Sequence, residues 1–395
     1  MLIKEIAGTF LGTLAGMITG IVPGLHINLI ASALISSGFT SPAAAVSCFI
    51  IGLSISHNFF DFIPSILLSS PDDSNVLASS PGKRYLLQGR ARLALKLASL
   101  GCLYAIIICV VISPVIVFLM PIIHSAIGRY VGFILLAIIV DLCLKEKNVV
   151  PAFLVLGMSG VLGYVCLNSG VNNVLTPMLS GLFGLSSLFS GIKTEEIPKQ
   201  HRIYGLELRK RDVIKSSLFG VAASSLLGLI PAIGPTQASL VTEKLRREKN
   251  DDEFFVSIGA VNTADIVMSI FSLYAISKPR NGGLVAISQI LEINKETAMM
   301  LAVYALAAGF FSFVIFKFVS EVMVQKISGI NYRTLRTAVI ILIGVVVFGV
   351  SGFYGMIVLI PSTILGVICE KKQVRKSTLM GCLIIPTLMF YLGKL

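Results

Sequence analysis

GIVPGLHINLIASAL, residues 20–34, has the composition of a membrane span but sets Pro23 and Gly24 in its middle. A helix in hydrocarbon must satisfy its own backbone hydrogen bonds. Proline removes an amide donor and clashes with the preceding turn, at ~3 kcal/mol in a helix interior. A break there therefore needs partners for the freed groups, from the protein interior or from a water-lined cavity. A second stretch, GLIPAIGPTQASL at 228–240, carries the same Gly-x-x-Pro. The two breaks lie 208 residues apart, which points to an internal duplication.

Two more matches keep that order. SISHNFFDFI (54–63) aligns with SIGAVNTADI (257–266), sharing Ser-Ile, Asn-x-x-Asp and a final Ile. VLGYVCL (161–167) aligns with ILGVICE (364–370). All the offsets fall between 203 and 208, so one register covers nearly the whole chain. The expected organisation is a first transmembrane repeat at 1–191, a polar cytoplasmic linker at 192–212 and a second repeat at 213–395.

Composition sets the class. Apolar residues make up 55% of the 395 and charged residues only 13%, and mean hydropathy is +0.90. Water-soluble domains keep roughly 25% charged residues. Apolar stretches of bilayer-crossing length, about 20 residues, recur from end to end. The expected fold is an all-α polytopic membrane protein. The net charge of +12 does not point to nucleic acid, because neither a basic helix face nor aromatic interleaving occurs. The seven cysteines form no CxxC pair, which argues against a metal knuckle or a disulfide framework. The first residues read as mature protein: Lys4 is followed by Glu5, and the apolar run has no clear A-x-A site.

Each half reads as a broken segment plus about five crossings. In the first half the broken segment is 6–37 and the crossings lie near 43–70, 97–120, 128–144, 149–167 and 174–191. In the second the broken segment is 213–242 and the crossings lie near 254–277, 297–325, 334–350, 352–369 and 377–393. If each broken segment re-enters, the basic runs fall on one face: Lys83 to Lys96, Lys145 and Lys147, the linker, Arg333 and Arg336, and Lys371 to Lys376. Positive-inside sorting makes that face cytoplasmic, and both termini extracytoplasmic. KKQVRK (371–376) stands where its repeat has the neutral NSGVNN (168–173). An odd number of crossings per copy, with a basic loop replacing a neutral one, is what inverted topology requires.

Two constellations carry the chemistry. Half-helix N-termini after the breaks would present amides and the positive dipole end to an anion. They place Pro23, Gly24, Leu25, His26 and Asn28, and Pro231, Gly234, Pro235, Thr236 and Gln237, at a substrate site. The blander reading is a packing kink, but duplicated breaks mark a transporter's midplane site. The second constellation is Asn58-x-x-Asp61 and Asn262-x-x-Asp265. An acid at mid-membrane is costly unless paired or hydrated. Hard oxygen ligands suit a cation, so these four residues are the expected coupling site for Na⁺ or H⁺; His57, beside Asn58, could relay protons, although a lone histidine is more often structural. Each pair could instead cap a helix or join the two repeats. In the polar stretch 69–98, Asp72 and Asp73 would be neutralised by Lys83 or Arg84 if they meet, and Arg84, Arg90 and Arg92 read as topogenic charges.

Four stretches resemble the large membrane subunit of tripartite tricarboxylate transporters, the TctA family: GMITGIVPGLHINLIASAL (16–34), YLLQGRARLALKLA (85–98), VLTPMLSGLFGLSS (174–187) and SSLLGLIPAIGPTQASL (224–240). PAIG stands where that family has PGxG, and VNTADIV where it has a PExANNA-like block. The chain looks closest to short, archaeal-type members. The resemblance implies uptake of di- or tricarboxylates driven by a cation gradient, with a small membrane subunit and an extracytoplasmic binding protein as partners. Homo-oligomerisation is compatible with it. A more distant likeness, to the polyprenyl-phosphate translocases catalogued as DUF368, implies a lipid phosphate at the same amides. The sequence has no HExxH, GxSxG, GxGD or P-loop signature. The expected protein is therefore a secondary permease in the cell membrane, with no enzymatic role and no cofactor beyond a coupling cation.

Overall fold

A computed structural model describes residues 2–25, 27–36, 42–71, 73–190, 197–201, 208–230, 233–245 and 250–393. Among these residues, regular structure is helical throughout. Seven helices are long and apolar enough to cross a bilayer. The elements before the linker are α1 (Leu2–Ile21), α2 (Ile27–Ser36), α3 (Ala43–Phe60), α4 (Phe62–Leu67), α5 (Val76–Leu87), α6 (Ala91–Gly128), α7 (Val131–Leu144), α8 (Val149–Leu167), α9 (Leu175–Leu179), a π-helical turn (Ser180–Leu185) and α10 (Ser186–Ser190). After it come α11 (Lys210–Leu227), α12 (Pro235–Leu245), α13 (Asp251–Ile276), α14 (Gly282–Ile290), α15 (Lys295–Ile327), α16 (Tyr332–Lys371) and α17 (Gly381–Leu392).

Both expected breaks are present. α1 stops at Ile21, and Gly24 turns the chain at φ 88°, a left-handed conformation that only glycine takes at little cost. α11 stops at Leu227 and α12 starts at Pro235. The crossings expected at 334–350 and 352–369 are two helical segments, together labelled α16, that meet at Gly352, whose φ 61° and ψ −158° are not helical. One difference from the sequence reading stands out. The stretches after α3 and α13 each contain a short extra helix, α5 and α14. α5 accepts Pro81 in its interior.

Packing follows small residues. Without a hydrophobic drive between helices in lipid, close backbone approach supplies the contact. Gly8, Gly12, Gly16 and Gly20, four residues apart on α1, each sit against a carbonyl oxygen of α3. A Cβ on them would lie 2.5, 2.1, 2.4 and 2.6 Å from the oxygens of Ala45, Phe49, Leu53 and His57. α11 packs on α13, as α1 does on α3. α6 then lies along α13, and α15 along α3, so each half embraces the other's central helix. The apolar stretch of α13 is enclosed by protein, while Phe118, Val111, Phe318 and Phe353 turn large apolar surfaces outward, as lipid-facing positions do.

Contacts also recur between the halves, at offsets of 200 and 203 residues. A Cβ on Gly163 would lie 1.8 Å from Cys382 O, and one on Gly366, 203 residues on, 2.4 Å from Leu182 O. Gly181 faces Ser362 and Leu359; Gly381 faces Ser159 and Leu156. The seven cysteines are buried and unbridged.

Candidate functional site

Residues beside the two breaks and those of the Asn-x-x-Asp pairs line two adjoining cavities. Asn58 Nδ2 donates to the backbone oxygen of Asn262 at 2.8 Å. Asn262 Nδ2 donates to Asn75 Oδ1 at 2.8 Å, and Asn75 Nδ2 to Asp61 Oδ2 at 2.6 Å. All four residues are buried. Spacing alone would pair Asn58 with Asp61. But α3 ends at Phe60, leaving Asp61 on the joint with α4, and the two side chains go to different partners. His57 Nδ1 shares a hydrogen bond with Thr19 Oγ1 at 3.0 Å, just before the first break.

Asp265 has an unexpected partner. Its Oδ1 accepts from the Arg280 guanidinium at 2.6 Å, with the side chains only 14% and 9% exposed. The chain after α13 explains how a loop arginine comes to lie inside. Ser277 turns it in a left-handed conformation (φ 52°). The returning segment is then stitched to the helix, Ser272 Oγ donating to Lys278 O and Asn281 Nδ2 to Ser269 Oγ. Asn281 Oδ1 accepts from Leu284 N and so caps α14. The guanidinium projects onto Gly228, where a Cβ would lie 1.3 Å from its nitrogen. It reaches Ser224 O, near the end of α11, at 3.4 Å. Gly228 is thus required for space: the broken helix is where the arginine fits.

These groups surround a cavity of about 470 Å³. Asn58, Asn262, Asp265 and Arg280 line it, Lys278 adds a second cation, and α2, α12 and α14 all begin at its wall, through Ile27, Pro235 and Gly282. Two cations against one carboxylate, together with three positive dipole ends, make the lining favourable to anions. Asn262 Oδ1, buried in this lining, has no hydrogen-bond partner.

The remaining expected substrate residues divide. Pro23, Gly24 and Leu25 line a smaller neighbouring cavity, and Leu25 N donates to Val22 O at 3.3 Å. Gly234 N donates to Gln237 Oε1 at 3.0 Å, so this amide is already taken. Pro235, in the first helical position, has no amide proton to offer. Thr236 and Gln237 are buried, and Gln237 Nε2 has no partner. His26 and Pro231 lie outside the described residues, as does the side chain of Asn28. Asp72 also lies outside them, as does the side chain of Asp73; Arg84 pairs with Asp251 at 2.6 Å.

Sequence reasoning missed Arg280 and Asn75. The signal for Arg280 was present: KPRNGG (278–283) places two cations between apolar stretches, away from the basic loops.

Long apolar helices enclosing a polar cavity at two broken helices define an all-helical, polytopic membrane protein. The chain belongs to the tripartite tricarboxylate transporter TctA family, whose profile matches residues 6–381. An uncharacterized protein of Methanocaldococcus jannaschii is 29% identical over 359 residues, covering 87% of this chain and 88% of that one. No solved structure matches the chain.

Proposed function

We propose that the chain is a secondary permease for small organic anions, di- or tricarboxylates in class, coupled to a Na⁺ or H⁺ gradient. The observation that carries this reading is the Arg280 guanidinium, held at the wall of the 470 Å³ cavity. Arginine grips carboxylates with two parallel hydrogen bonds. Asp265 occupies it at rest, and a substrate carboxylate exchanges for or shares that contact. Lys278 and the start of α14 meet the second carboxylate. Asp61, with Asn58 and Asn262, stands at the coupling end, in a hydrogen-bonded network beside the cavity.

The working architecture is two inverted-topology repeats, 1–191 and 213–395, each opening with a re-entrant hairpin and joined by a cytoplasmic linker. The glycine contacts repeated across the halves support it. Both termini are extracytoplasmic in this arrangement. Arg92, bonded to Gln200 O and paired with Glu321, gathers the α5–α6, linker and α15 ends together, as a common cytoplasmic face requires. A small membrane subunit and an extracytoplasmic binding protein complete the system, as the family's tripartite name implies.

Uptake into proteoliposomes tests this. Labelled di- and tricarboxylates should accumulate under an inward Na⁺ or H⁺ gradient and fail to do so when the gradient is collapsed. Movement of polyprenyl phosphate between leaflets, with no carboxylate uptake, would refute the reading.

A further inference from the structure

The two Asn-x-x-Asp aspartates occupy matched positions in sequence, yet their surroundings differ. Beside Asp61 lies a second cavity, of about 20 Å³, lined by Thr19, Gly24, His57, Asp61, Ser70 and Ser180. Ser70 and Ser180 are 2% and 5% exposed, and neither hydroxyl oxygen has a hydrogen-bond partner. Buried hydroxyls normally find one. Glycines leave both oxygens room: a Cβ on Gly24 would lie 3.4 Å from Ser180 Oγ, and one on Gly184 3.6 Å from Ser70 Oγ. Such a volume holds one water-sized body and no hydration shell.

We propose that this cavity binds a dehydrated monovalent cation of Na⁺ size through Asp61, Ser70 and Ser180, and that Asp265 is not a cation ligand because Arg280 already holds it. The proposal rests on the cation-coupled permease reading and assigns its coupling site to one half only. The chemistry is that of a hard ion: one carboxylate supplies the charge, and hydroxyl lone pairs supply neutral oxygens. One carboxylate suits a single positive charge, whereas sites for divalent ions usually gather more. The ligands come from three places: the α3–α4 joint, the segment after α4 and the π-helical turn. π-turns concentrate at functional sites. An ion there ties the first break, through Gly24, to that turn. The Asp61–Asn75–Asn262 hydrogen bonds run from this cavity to the larger one. They give cation and anion a physical link.

The test is equilibrium ²²Na⁺ binding to the purified full-length protein, with choline replacing Na⁺, alongside carboxylate binding on the same samples. Wild type should bind Na⁺ saturably, one ion per chain. Ser70→Ala and Ser180→Ala should each raise the half-saturating Na⁺ at least tenfold while leaving the melting midpoint in choline unchanged, since neither hydroxyl has a hydrogen-bond partner among the described residues. Asp265→Leu/Arg280→Met should bind Na⁺ like wild type and bind carboxylate about 30-fold more weakly. Absence of saturable Na⁺ binding, Ser180→Ala with wild-type affinity, or displacement of Na⁺ by K⁺ at equal concentration would overturn the site. If wild type binds Na⁺ as described but no carboxylate, the site stands and the permease reading fails.

Discussion

Replacing Arg280 by methionine separates its structural role from its proposed role in binding. The guanidinium and Asp265 lie 2.6 Å apart and are nearly enclosed. At an effective dielectric of about 20, such a pair attracts by about 4–6 kcal/mol, most of which offsets the loss of hydration. Removing one partner leaves a buried carboxylate uncompensated, and typically costs about 3–5 kcal/mol. Arg280→Met should therefore lower the thermal unfolding midpoint clearly, in the absence of any substrate. The double variant Asp265→Leu/Arg280→Met removes both charges and keeps similar volumes, and such replacements are neutral or stabilising. It should recover the midpoint but not the ligand. Losing a charge-assisted contact worth ~2 kcal/mol weakens binding about 30-fold. Carboxylate titration by calorimetry on the double variant reads this directly. Recovery of both stability and wild-type affinity would show that Arg280 only neutralises Asp265, and would refute the reasoning.

Other expectations follow from the packing and the polar network. Gly12→Ala should destabilise by ~1–3 kcal/mol, because its Cβ would lie 2.1 Å from the Phe49 oxygen; Gly349→Ala, with nothing within 4 Å, should leave the midpoint unchanged. Asn75→Ala removes the bridge between Asp61 and Asn262 and leaves buried polar atoms unmet, at about 1–3 kcal/mol each. Carboxylate affinity in that variant should become the same in Na⁺ and choline. Arg84→Ala breaks an ion pair whose side chains are 54% and 40% exposed; in a denaturant titration it should change stability by less than about 1 kcal/mol.

The spans were legible because hydrocarbon imposes a length and a composition on any crossing helix. The reading of 149–167 coincides with α8, and that of 254–277 falls within three residues of α13 at its start and one at its end. The breaks were legible for the same reason, since Pro23 and Gly24 cannot continue a helix unaided. Short helices were not. α5 and α14, of 12 and nine residues, fall below the crossing length, and Pro81 inside α5 reads as a breaker. The partners of the two aspartates were hidden for a different reason. Sharing a helix face at i and i+3 does not make two residues partners: Asp61 keeps helical φ/ψ and its amide still bonds His57 O, and Asp265 lies inside α13, yet each carboxylate takes a partner from outside its helix. Asn75 and Arg280 reach the site by tertiary packing, 14 and 15 residues from the aspartates they meet, and local periodicity carries no trace of it. Arg280 alone left a mark, as an arginine between Pro279 and Asn281 in a loop otherwise flanked by apolar sequence.

A cryo-electron microscopy map of the full-length protein in saturating tricarboxylate tests the account most directly. It should show ligand density between the starts of α12 and α14, within hydrogen-bond distance of Arg280, with α1 and α11 both interrupted. Density seated elsewhere, or either proline-bearing segment running through as continuous helix, would contradict it.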